Sequence, residues 1–102
     1  MMHTENSITL IMYDITSAKL RRRVDKVLKD YGFRLQFSVF LCRLDKDGVD
    51  ACCKKLTKAI NSNLAHKSET DSIFILQRVN MERLNCILGN DGILKQSVYK
   101  IY

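Results

Sequence analysis

Ile8-Thr9-Leu10-Ile11-Met12-Tyr13 runs into a single acidic residue, Asp14. A densely basic segment follows, Ala18-Lys19-Leu20-Arg21-Arg22-Arg23-Val24-Asp25-Lys26-Val27-Leu28-Lys29-Asp30-Tyr31, closed by Gly32. The first run carries apolar side chains on both faces, as a strand covered on two sides does. Alternation puts Ile8, Leu10 and Met12 on one face with Asp14 at the strand exit, and Thr9, Ile11 and Tyr13 on the other. In the basic segment Leu20, Val24, Val27, Leu28 and Tyr31 fall at helical spacing and form a buried stripe. Thr16 or Ser17 is placed to cap this helix, and Gly32 suits its left-handed stop. Lys19, Arg22, Arg23, Lys26 and Lys29 are left outside, with Arg21 near the edge.

Outward from this pair, Phe33 to Leu44 is the longest strand-like run. Phe33, Leu35, Phe37, Val39 and Leu41 make a wholly apolar face suited to helices. Arg34, Gln36, Ser38, Phe40 and Cys42 make a mixed face suited to a dimer contact. Asp45-Lys46-Asp47-Gly48 reads as a turn, and Val49 to Leu64 as a second amphipathic helix with Lys54, Lys55 and Lys58 on its solvated side. Strand-like runs follow at Asp71 to Val79, Arg83 to Leu88 and Ile93 to Tyr102, the last two separated by the turn Gly89-Asn90-Asp91-Gly92. Residues 1–6 are polar and expected to fray. The order is read as β-α-β-β-α-β followed by one more strand, an α+β, ferredoxin-like domain spanning 1–102 with both helices on one sheet face. The uncovered face carries hydrophobes, so a face-to-face homodimer is expected, with Gln36, Ser38 and Phe40 on the shared face and the 93–102 strand docking on the partner.

The chain has 102 residues, enough for one modest core. Its 17 Lys and Arg against 11 Asp and Glu give a net charge of +6, which favours polyanionic partners. The four cysteines, Cys42, Cys52, Cys53 and Cys86, include no C-x-x-C pair and lie far in sequence from His3 and His66, which argues against a zinc site. Free thiols and a polar beginning without a secretory leader pattern point to a reducing, cytoplasmic setting. No apolar run approaches the roughly 20 residues needed to span a bilayer. Ser38 has no His and Asp partners in view, so a hydrolase triad is not expected.

Tyr13-Asp14-Ile15-Thr16, Leu20-Arg21-x-Arg23-Val24, Gly32 and Arg34-x-Gln36-x-Ser38-Val39-Phe40, at these spacings, resemble the signature of the small CRISPR-associated adaptation protein, the Cas-two family. The resemblance covers Ile8 to about Leu88. It implies a ferredoxin-like homodimer that bridges dimers of the spacer integrase while the assembly holds a DNA fragment for insertion. Some members are described as magnesium-dependent endoribonucleases or DNA nucleases. The family's metal-associated aspartate falls on Asp14, and its tyrosine, basic and phenylalanine positions fall on Tyr13, Arg21, Arg23, Arg34 and Phe40. Many members place Glu after Ser-Val-Phe, where this chain has Leu41.

Three functions compete at this level. In the first, Lys19, Arg21, Arg22, Arg23, Lys26 and Arg34 bind the phosphates of duplex DNA, and of RNA, without reading sequence. In the second, Asp14 and its symmetry mate hold Mg2+ for phosphodiester cleavage, with Tyr13 in support. Magnesium wants several oxygen ligands, and one carboxylate per chain is few; alternatively, Asp14 caps the turn that follows it. In the third, the chain is a monomeric single-strand RNA binder of the RNA-recognition-motif type, but Asp71-Ser72-Ile73-Phe74-Ile75-Leu76 lacks that module's aromatic motif.

Overall fold

A computed structural model describes residues 7–89. Four strands, β1 (Ser7–Asp14), β2 (Gly32–Gln36), β3 (Val39–Leu44) and β4 (Ser72–Leu76), form one antiparallel sheet in the order β2-β3-β1-β4. Helix α1 (Ala18–Leu28) connects β1 to β2, and helix α2 (Lys46–Asn61) connects β3 to β4. This is the β-α-β-β-α-β ferredoxin-like arrangement expected from the sequence. The expected frayed residues 1–6 and the strand Ile93 to Tyr102 lie outside the described residues.

Both helices pack on one sheet face. Ser17 caps α1, its hydroxyl accepting from the Leu20 amide at 3.3 Å. Leu20, Val24 and Leu28 are then buried against Ile11, Tyr13, Phe40 and Cys42 of the sheet and Cys52 and Leu56 of α2. Each large apolar side chain buried this way contributes about 1.5–3 kcal/mol, so the stripe, not helix propensity, holds α1 to the sheet. Burial pushes the thiols of Cys42 and Cys52 up, to about 12 and about 11, and keeps both protonated and unreactive at neutral pH.

The 33–44 run is two strands, not one. The chain turns at Phe37-Ser38, with a bulge between Arg34 and Gln36, and this hairpin supplies the central β-β pair of the fold. The expected faces are also exchanged. Phe40 stands opposite Ile11 and Cys42 opposite Thr9, so Phe40 and Cys42 enter the helix-covered core with nothing exposed. Phe40 is therefore not on the uncovered face, where the dimer contact is expected. Val39 and Leu41 stand opposite Met12 and Leu10 on the uncovered face, where Phe33 also pairs with Leu41. There β4 adds Phe74, 67% exposed, and Leu76, 53% exposed.

Gly32 does not serve as a left-handed helix stop. It lies within β2, where an added Cβ would collide with the Leu41 carbonyl oxygen and come within 2.7 Å of Cys42 Sγ and 2.8 Å of its Cα. Glycine is needed for close strand approach. The expected turn 45–48 is the start of α2: Asp45 caps it, its Oδ1 accepting from the Gly48 amide at 2.7 Å. The expected strand 83–88 is instead a 3-10 turn, Met81–Arg83, followed by irregular chain with Ile87 and Leu88 almost fully exposed.

Candidate nucleic-acid interface

Tyr13 and Asp14 are neighbours that point to opposite sides of β1. Tyr13 is buried under α1, where its hydroxyl donates to Asp25 Oδ1. Burial, followed by the hydrogen bond to Asp25, raises the Tyr13 pKa above its usual value, so the phenol remains a donor at neutral pH. Asp14 is exposed at the end of the uncovered face, opposite Ser72 of β4. Ser17, not Asp14, caps α1. Among the described residues the Asp14 side chain has no hydrogen-bond or ion-pair partner.

Arg34, expected among the phosphate-binding cations, has its guanidinium engaged within the fold. Nη2 lies 2.9 Å from Asp25 Oδ2, and Nη1 donates to the Phe37 carbonyl and, at 3.3 Å, to the Tyr13 hydroxyl. The group also lies over the Phe40 ring, 4.9 Å from its centroid. The hydrogen bond to Asp25 raises the Arg34 pKa further. Arg34 is thus a structural clamp between β2, α1 and the hairpin turn.

The remaining cations divide by direction. Arg21 is half-buried and donates from Nη1 to the carbonyls of Ile15 at 2.9 Å and Thr16 at 3.4 Å. Lys19, Arg22, Arg23 and Lys26 are exposed, with no ion pair among the described residues. Arg23 and Lys26 line a groove of about 390 Å3 between the helices, joined from α2 by Lys55 and Lys58. Periodicity within each helix gives no hint that the α2 lysines, read as a solvated face, meet the cations of α1. Gln36 is exposed beside the bulge, and the Ser38 carbonyl accepts from the Tyr13 amide at 3.0 Å.

Asp71, at the entry to β4, is a site residue whose partners local spacing does not reveal. One of its oxygens accepts from the Thr16 amide at 2.9 Å and the other from the Ser68 amide at 2.8 Å. It ties the loop after Asp14 to the approach of β4, and both oxygens are committed. Among the described residues no group of three or more His, Cys, Asp or Glu side chains is placed to hold a metal ion. Among the described residues Asp14 is therefore not joined by other carboxylates, histidines or cysteines in a group that could hold a metal ion.

A four-stranded antiparallel sheet with two helices on one face, and a cationic helix beside a free strand-end carboxylate, define a ferredoxin-like domain with an open basic surface. The family profile described as CRISPR associated protein Cas2 matches residues 7–84, and the chain belongs to that family. A relative from Geobacter sulfurreducens, named CRISPR-associated endoribonuclease Cas2, is 32% identical over 94 residues, 87% of this chain and 93% of its own length. One from Synechocystis sp., named CRISPR-associated endoribonuclease Cas2 3, is 36% identical over 64 residues, 63% of each chain. One of the same name from Chloroflexus aurantiacus is 43% identical over 53 residues, 52% of this chain and 57% of its own. The chain thus spans less than two thirds of the length of the latter two. Among solved structures, Streptococcus pyogenes Cas2 is similar with a TM-score of 0.64 and 31% identity, covering 80% of this chain and 99% of that one. A hypothetical protein from Thermus thermophilus gives a TM-score of 0.66 at 25% identity, covering 83% and 93%. Among the described residues no helix is long and apolar enough to cross a membrane.

The amides of Ser68 and Thr16 hold the Asp71 carboxyl below its usual value of 3.8. A lowered folded pKa contributes stability that is present above the unfolded value and lost as pH falls through the folded one. Asp71→Asn should therefore unfold at lower urea than the parent at pH 6. The difference should shrink on acidification below about pH 4, as followed by urea midpoints from pH 6 to pH 2. A constant difference across that range would remove the carboxylate from this role.

Proposed function

We propose that the chain acts in CRISPR adaptation as a dimeric, sequence-indifferent nucleic-acid-binding scaffold that bridges the spacer integrase. The observation that carries this reading is the set of exposed cations Lys19, Arg22, Arg23 and Lys26 on one helix, with no ion pair among the described residues. Guanidinium and ammonium groups on a solvated helix face are free to exchange counterions for phosphates. Dimerisation is supported by the uncovered sheet face, where Phe74 and Leu76 remain exposed beside half-buried Leu10 and Met12. Pressing two such faces together removes apolar area from water and leaves α1 of each copy on the outside. Two cationic helices on opposite outer surfaces suit a bridging piece. The integrase partner rests on membership of the family.

A second reading is a magnesium-dependent endonuclease of RNA or DNA. It is favoured by the Asp14 carboxylate, without a partner among the described residues, and by the endoribonuclease names of the relatives. It draws on the Asp14 of a second copy, because among the described residues no group of three or more His, Cys, Asp or Glu side chains is placed to hold a metal ion. Tyr13, turned into the core beside Asp25, would support such a site only by holding the strand.

Duplex affinity measured against salt tests the first reading. Replacing Arg22, Arg23 and Lys26 together by Ala should weaken binding and reduce the slope of log affinity on log salt by about 0.9 for each phosphate that is no longer neutralised. An unchanged slope removes α1 from the interface. The Asp14→Ala variant separates the two readings. Scaffolding predicts unaltered duplex binding, and the nuclease predicts that magnesium-dependent cleavage disappears while the dimer persists.

A further inference from the structure

Phe37 lies at the tip of the β2–β3 hairpin with 72% of its surface exposed. An aromatic side chain left in water on a turn contributes little packing, so its presentation calls for another explanation. Its backbone is held on both sides. The Phe37 carbonyl accepts from Arg34 Nη1 and lies 3.4 Å from the Tyr13 hydroxyl, and the Ser38 carbonyl accepts from the Tyr13 amide at 3.0 Å. The ring lies beside α1, with the Arg21 guanidinium 5.8 Å from its centroid. Arg21 is itself fixed by the carbonyls of Ile15 and Thr16. The next residues along α1, Arg22 and Arg23, are exposed cations.

We propose that Phe37 is a stacking platform for one unpaired nucleobase in a strand whose phosphates run along α1. This rests on the nucleic-acid-binding reading above and adds to it a preference for single-stranded segments, such as an end or a splayed junction. The physical reason is that bases inside a duplex already have both faces stacked, so an exposed ring offers them nothing. An unpaired base gains a face, and every base has one, so the contact is tolerant of sequence. The fixed hairpin lowers the ordering cost of the contact. Arg21, held by the Ile15 and Thr16 carbonyls, keeps the ring beside α1, and the exposed Arg22 and Arg23 are the cations left for the phosphates of that strand. A ring beside α1 also stays accessible when two uncovered sheet faces meet.

The chain contains no tryptophan, so Phe37→Trp introduces a single fluorescent reporter at the platform. The full chain carrying it is titrated with single-stranded DNA, single-stranded RNA, the same strands containing abasic positions, and a blunt duplex. Emission should be quenched by a single strand, less by its abasic form, and not by the duplex. Whichever of the DNA and RNA strands quenches identifies the sugar the platform accepts. In parallel, Phe37→Ala should weaken single-strand affinity between about fivefold and about a hundredfold while leaving duplex affinity as in the parent, and Phe37→Tyr should restore it. Equal single-strand affinity in the parent and Phe37→Ala, or unaltered emission while a single strand binds, overturns the platform and leaves duplex binding by α1 standing. Equal losses on single strand and duplex overturn it in favour of a general effect on the fold. Binding of no nucleic acid at all by the parent overturns the nucleic-acid reading and the platform with it.

Discussion

Asp25 extends from α1 to Arg34 on β2, and the arrangement of the site depends on that bridge. A partly exposed ion pair by itself contributes about 0–1 kcal/mol. This one is reinforced because Tyr13 donates to the same carboxylate and the Arg34 guanidinium also donates to the Phe37 carbonyl. Charge-assisted bonds that share partners strengthen one another in a partly desolvated place. The network joins β1, α1, β2 and the hairpin tip, and so fixes where Phe37 stands relative to the strand end that carries Asp14.

The same bridge separates the cations by task. Arg34 is consumed by the fold and Arg21 by two backbone carbonyls, whereas Lys19, Arg22, Arg23 and Lys26 remain in solvent. A run of three consecutive arginines therefore contains one structural member and two available ones. The carboxylates divide likewise. Asp25 and Asp71 are committed to protein donors, and Asp14, on the uncovered face, has no partner among the described residues. The exposed cations of α1 and the Asp14 carboxylate of β1 thus lie on different surfaces.

Where local periodicity carries the information, the sequence is readable. The α1 stripe, a cap at Thr16 or Ser17, the end of β1 at Asp14 and the basic face follow from spacings within one or two turns. The hairpin at 37–38 is not readable, because Gln36-Phe37-Ser38-Val39 lacks the Gly, Asn, Asp or Pro that marks such turns. The turn is held by Arg34, on the strand that leads into it, and by Tyr13 on the distant strand β1. The choice of face is equally hidden. Both alternating sets in 33–44 contain large hydrophobes, and only pairing of Phe40 with Ile11 and of Cys42 with Thr9 decides which set meets the helices. Gly32 misleads for a related reason: its place after a helix suggests a stop, while its use is the close approach of Leu41 and Cys42.

A double-mutant cycle on Asp25→Ala and Arg34→Ala, read by urea unfolding, tests the bridge most directly. Each single variant is predicted to lose stability, and the pair to couple by about 1 kcal/mol or more. Losses that add to within about 0.5 kcal/mol would show that Asp25 and Arg34 act independently, and would contradict the claim that this contact fixes the hairpin and the site around it.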